Sequence, residues 1–210
     1  MPGTTTRNQR MLLFTGTLLG WFALIVQLYL IIENRTASVP ETILRFFGFF
    51  TILTNILVAL CFSFVLAGKN AFFHKPGTQA AIGVYILVVG LVYNLVLRFL
   101  WAPTGLAWLV DELLHLVMPL LYLVYWFIYG SKQALQWRHV WAWMLYPLAY
   151  VLYTLVRGSI VAYYPYPFIN VTELGYPAVL RNSLLLTFVF LGLALLFVAV
   201  TRWKNKRSLS

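Results

Sequence analysis

The sequence predicts an all-α, polytopic integral membrane protein with six transmembrane helices and both termini cytoplasmic. Three observations carry this expectation. The 210 residues are 62% hydrophobic and only 10% charged, with a mean hydropathy of +0.84, whereas about a quarter of an average soluble domain is charged. Six apolar runs follow one another, each near the ~20 residues that cross a bilayer. The connections between them alternate in charge. A soluble chain of this length could bury a core, but it could not hide this much apolar surface.

Taken in order, the opening MPGTTTRNQR is too polar for the charged region of a signal peptide, and the run that follows carries no cleavage signature. Residues 11–32 therefore read as the first span. ENRTASVPET leads to the second, 44–67, which holds the lone cysteine, Cys61. One cysteine in an apolar run makes no disulfide framework and reads as packing. GKNAFFHKPGTQ leads to 79–101, a Pro-Thr-Gly turn to 111–130, and GSKQALQWR to 139–162. YPYPFINVTELGYP, stiffened by proline, reads as an outer re-entrant or surface loop before 180–202. No internal repeat or low-complexity tract is visible, and no stretch is left for a soluble domain. The expectation is a single six-helix domain over 1–210.

Orientation follows from the basic residues. Arg7, Arg10, Lys69, Lys75, Lys132, Arg138, Arg202, Lys204, Lys206 and Arg207 fall on one side of the alternating connections. All five acids, Glu33, Glu41, Asp111, Glu112 and Glu173, fall on the other, with the remaining five arginines. The positive-inside rule then places both termini in the cytoplasm. The net charge of +10 reads as a topology signal with some attraction to anionic head groups. No nucleic-acid partner is expected, because no basic patch carries a recognition motif.

Folding the chain back and forth gathers its polar residues at one mouth of the bundle. Thr51 falls about two turns, roughly 10 Å, below the outer end of the second helix. His115 falls about one turn into the fourth, and Arg98 and Arg157 approach the same surface from the third and fifth. Asn182 opens the sixth. Thr51 and Asn55 share a helix face, with Thr54 beside them, as do Asn94 and Arg98. Glu112, His115, Pro119, Tyr122 and Trp126 form one stripe; Tyr146, Tyr150, Tyr153 and Arg157 form another. If both face inward, an aromatic-walled cavity results, apolar low down and polar near the mouth, suited to an acyl chain with a polar head. Ionisable groups within a membrane mark a functional site by default.

Each signal has a plainer reading. A threonine in a span commonly bonds the carbonyl of its own preceding turn. His115 could be an ion-pair partner of Asp111 or Glu112, and these two acids lie at the right depth for Arg98 and Arg157. Asn55, Asn94 and Asn182 could be hydrogen-bond glue between helices. The sequons at Asn34 and Asn170 fall on the outer side. A single histidine in the spans excludes a paired haem, no ligand cluster suits zinc, and no mid-span lysine suits retinal. Neither a nucleophile elbow nor a phosphate loop is present, so no cofactor and no metal are expected.

FFGFFTILTNILVAL, HLVMPLLYLVYW, WMLYPLAYVLYTLVRG and YPYPFINVTELGYP, in this order and spacing, resemble the androgen-induced-gene family and its bacterial relatives, the Pr-six-Pr membrane proteins. The resemblance spans nearly the whole chain. It implies a hydrolase of lipid esters, such as fatty acid esters of hydroxy fatty acids, with a threonine nucleophile on Thr51 and a histidine base on His115; Thr54 is a rival one turn away. An adjacent base is what a hydroxyl nucleophile requires. Asp111 or Glu112 could orient the ring, Asn55 or an arginine-held group could donate to the oxyanion, and Arg98 or Arg157 could pair with a substrate carboxylate. The setting would be a bacterial inner membrane, or another cellular membrane in a eukaryote, with membrane lipid and a lipid ester or fatty acid as partners. The alternative is a non-enzymatic lipid-binding or small-molecule carrier, and a third reading is a bundle whose buried charges only fix helix order.

Overall fold

A computed structural model describes residues 6–130 and 135–207, and Lys132 of the fourth connection lies outside the described residues. The described residues are helical, with no strand among them. Among the described residues, five helices are long and apolar enough to cross a membrane, and a bent pair makes a sixth candidate. The chain divides into two compact units, Met1–Ser131 and Lys132–Ser210.

The first unit opens with α1, Arg7–Glu33, whose first turn is capped by the Thr6 hydroxyl accepting from the Gln9 N–H at 3.3 Å. The short α2, Val39–Phe46, is capped by Ser38 and braced by an Arg45–Glu41 ion pair at 2.9 Å. It meets α3, Phe50–Leu66, at an angle of 69°. The sequence reads 44–67 as one straight span, but Phe47–Phe49 break it. Gly48 sits where an added Cβ would come 3.0 Å from the Arg45 carbonyl, so the chain folds back tightly on the end of α2. Thr51 thereby becomes the second residue of a helix rather than a position two turns inside one.

After a single turn, α4 (Ala71–His74), comes α5, Pro76–Val92, with proline at its first position. There a missing N–H costs nothing. A wider π turn, Tyr93–Leu97, ends this span, so residues 98–101, expected as helix, are not. The next helix, α6, runs Gly105–Glu112 and begins six residues before the expected start at 111. The sequence reading set the boundary at the two acids, whereas the apolar LAWLV ahead of them is already helical. His115 consequently lies about three turns along its helix, roughly 15 Å in, instead of one. A second π turn, Leu113–Val117, joins α6 to α7, Met118–Tyr129.

The core of this unit forms where α1 meets α3 and α7. A Cβ on Gly16 would stand 2.5 Å from the Phe62 ring, and one on Gly20 would stand 3.2 Å from the Ala59 Cβ. Small residues let membrane helices approach so closely. Below the polar cluster the interior is filled. Tyr122 is fully buried, its ring 5.4 Å from that of Phe62 and its hydroxyl donating to the Gln79 carbonyl at 3.0 Å. The expected aromatic-walled chamber is thus, along the Tyr122–Trp126 stripe, a packed core.

The second unit is a helical hairpin. α8, His139–Val161, ends with Ala162 in the left-handed region (φ 51°). The expected loop YPYPFINVTELGYP contains a 3-10 turn at Pro167–Ile169 and the start of α9, Val171–Arg207, which is interrupted at Gly175 (φ 72°, ψ 160°). Tyr153 is 46% exposed while Tyr150 is 8% exposed, so the tyrosine stripe of α8 does not face one interior.

Candidate functional site

The geometry of the first unit's polar cluster follows from one residue, Pro119. At the second π turn the Met118 N–H bonds the Leu113 carbonyl, five residues back. The next donor in either an α or a π pattern would be the N–H of residue 119, which proline lacks. The Leu114 and His115 carbonyls are left without it, and two asparagine side chains supply donors instead. Asn55 Nδ2 on α3 donates to the Leu114 carbonyl at 3.2 Å and to the Thr51 carbonyl at 2.9 Å. Asn94 Nδ2, on the facing π turn, donates to the His115 carbonyl at 3.1 Å and to the Gly90 carbonyl at 2.8 Å. Gly90 permits the approach, since a Cβ there would meet the Pro119 Cβ at 3.2 Å.

Charged groups surround the same turns. Arg98 holds Glu112 with both arms, at 2.6 and 2.9 Å, and its Nε donates to Asn94 Oδ1 at 2.9 Å. Its guanidinium carbon lies 5.2 Å above the Tyr93 ring. The Tyr93 hydroxyl donates to the Asp111 carboxylate, and the Tyr93 ring stacks on His115 with centroids 3.9 Å apart. His115 Nδ1 lies 2.9 Å from the Asp111 carbonyl and 3.2 Å from its carboxylate. Both neighbours accept, so Nδ1 carries the hydrogen in every protonation state and the neutral ring keeps its lone pair on Nε2.

The structure therefore joins Asn55, Asn94, Arg98, Asp111, Glu112 and His115 in one run of contacts that reaches the backbone of Thr51. Thr51 is 8% exposed, whereas Thr54 and Asn55 are fully enclosed. Two expected roles change. Both protons of the Asn55 amide are spent on main-chain carbonyls, so it has no donor left for an oxyanion; its buried Oδ1 has no hydrogen-bond partner. Arg98 grips Glu112 bidentately, so its charge is already paired, while its side chain stays 34% exposed. Arg157 and Asn182 belong to the second unit. There Arg157 lies 5.6 Å over the Tyr163 ring, and Asn182 Nδ2 donates to the Phe168 carbonyl at 2.9 Å.

Sequence reasoning missed Tyr93. It sits five residues before Arg98, a π rather than an α spacing, so a search in steps of three and four passes over it. A groove of about 290 Å³ lies at the far end of α3 from Thr51, lined by Arg7, Arg10, Met11, Phe14 and Leu66. Among the described residues, no group of acids, histidines and cysteines could hold a metal ion. A helical chain with membrane-length helices and a largely buried Tyr–His–Asp cluster is the class these features define. Compared with protein-family models, curated proteins and solved structures, the chain matches none.

Proposed function

We propose that the chain is a six-span membrane hydrolase of lipid esters with cytoplasmic termini, working through an acyl-threonine intermediate as its resemblance to the androgen-induced-gene family implies. The observation that carries this reading is the His115 ring, held at Nδ1 by the Asp111 carbonyl and carboxylate so that the lone pair falls on Nε2, on a turn that Asn55 ties to the backbone of Thr51. Nε2 takes the proton as the Thr51 oxygen attacks the ester carbonyl. It then returns that proton to the leaving alcohol, and water repeats the sequence to release the fatty acid. The imidazolium formed in each half-reaction faces the Asp111 carboxylate, which stabilises it. The first turn of α3, where Thr51 sits, places the positive end of a helix dipole beside the developing oxyanion.

The test is labelling of folded protein by a fluorophosphonate probe. Wild type is expected to label, while Thr51→Ala and His115→Ala lose at least ~90% of the signal, in line with the contribution of a general base. Labelling lost in Thr54→Ala but kept in Thr51→Ala would move the nucleophile by one turn. Absence of labelling in folded wild type, with lipid binding retained in Thr51→Ala, would replace the hydrolase by a carrier.

A further inference from the structure

The groove at the other end of the first unit has no part in the ester chemistry. It opens between the start of α1 and the end of α3, just past the contact of Gly16 with Phe62. Arg7, Arg10, Met11 and Phe14 follow one another in steps of three and four and share one face of α1, and Leu66, the last residue of α3, lies across from them. Along about 10 Å of helix axis this face runs from charge to hydrocarbon. Met11 and Phe14 are more than half exposed. The two arginines stand at the end of a helix that favours anions, yet no acid lies in that first turn. Nor does the rest of the unit supply one. Glu33 is at the opposite end of α1, about 40 Å away, while Glu41 is held by Arg45, Glu112 by Arg98, and Asp111 lies against His115.

We propose that this groove of about 290 Å³ binds an anionic phospholipid, its phosphodiester between Arg7 and Arg10 and the upper part of one acyl chain along Met11, Phe14 and Leu66. The positive-inside rule gives these arginines the cytoplasmic leaflet, where acidic phospholipids supply the missing counter-charge. An arginine fork matches phosphate oxygens, and its carbon stem lies readily on apolar surface. A zwitterionic lipid offers the same phosphate but brings an ammonium group toward two cations. Free phosphate has no chain for Met11 and Phe14. A basic residue beside an anionic lipid contributes about fivefold to affinity, so the two together should exceed ~10-fold. Neither Thr51 nor His115 takes part.

The test titrates the purified full chain, in a neutral detergent at fixed salt, with dioleoylphosphatidylglycerol or dioleoylphosphatidylcholine, and counts bound lipid by native mass spectrometry. The expected result is one saturable site at which the anionic lipid binds at least ~10-fold more tightly. Arg7→Gln combined with Arg10→Gln should narrow that ratio to about 3-fold or less. Arg138→Gln combined with Lys206→Gln removes the same charge from exposed positions of the second unit and should leave the ratio unchanged. Phe14→Ala should weaken both lipids alike. Melting temperatures near that of wild type show that the variants are folded. Equal affinity for the two lipids, or equal losses in the two double variants, would overturn the proposal, the second by showing attraction to the basic surface as a whole. Displacement of the anionic lipid by millimolar inorganic phosphate would also overturn it, leaving a plain anion site, as would equally tight binding of oleate. All these readings stand whether or not the chain hydrolyses esters.

Discussion

Tyr93 touches His115 in two ways, by its ring directly and by its hydroxyl through Asp111, and substitution can separate them. Tyr93→Phe keeps the stack and removes the hydroxyl, whose bond to a carboxylate is worth about 1.5–3 kcal/mol. The expected outcome is a lower melting temperature and a ~10-fold or smaller loss of kcat, with KM nearly unchanged. Tyr93→Leu removes both contacts and should cost more in kcat. A ¹⁵N spectrum of the imidazole checks the cause: wild type should show a protonated Nδ1, and Tyr93→Leu, which frees both the ring and the Asp111 carboxylate to turn away from each other, a mixture of tautomers. Thr51, Asn55, Arg98 and His115 were legible as a group, together with Arg157 and Asn182 of the second unit, because folding the spans back and forth sets them at one depth, and a helical step of four added Asn94 to Arg98. Their pairing was only partly legible. The sequence offered either acid to either arginine or to the histidine, and it takes the π turns to assign Glu112 to Arg98 and Asp111 to His115.

The paired π turns at Tyr93–Leu97 and Leu113–Val117 act as one device, with Pro119 creating the need that Asn94 and Asn55 meet. Asn94→Leu should leave a buried carbonyl unbonded and lower stability by about 1–3 kcal/mol. Pro119→Ala restores a backbone N–H at that position. In its background Asn94→Leu should cost markedly less, a coupling that a double-mutant cycle from thermal or denaturant unfolding in detergent would read. Additive costs would show that the two residues act independently. The same double variant should lose activity, because an α-helical turn rotates His115 away from its present direction. These turns were not legible beforehand, since hydrophobic periodicity reports the average period of a helix and not one extra residue within a turn. Proline at 119, with an asparagine on each of two neighbouring helices, was the signal available.

Across the described residues, composition foretold the helical class and the approximate places of the long apolar helices; the breaks at 47–49 and 98–104 and the early start at Gly105 escaped it. Each of these depends on packing or turn geometry, whereas hydropathy averages over them. Sidedness of the proposed six spans can be read directly. With Cys61 buried, single cysteines at Ser38 and Asn70 should react with a membrane-impermeant maleimide from opposite faces, Ser38 from outside in intact cells and Asn70 only after permeabilisation. Reaction of both from outside would remove one crossing.

The 69° bend before Phe50 leaves α3 with 17 residues, a rise of about 26 Å against a hydrocarbon thickness near 30 Å. If the proposed six spans hold, a crossing element this short would draw the two leaflets together locally. In the proposed hydrolase such a dimple would lie beside Thr51, the second residue of α3, and hydrolytic water would travel a shorter way through acyl chains than the depth of an ordinary span requires. Reconstitution into bilayers of increasing acyl length should accordingly slow deacylation before it affects folding, as the membrane resists the pinch that wets the threonine.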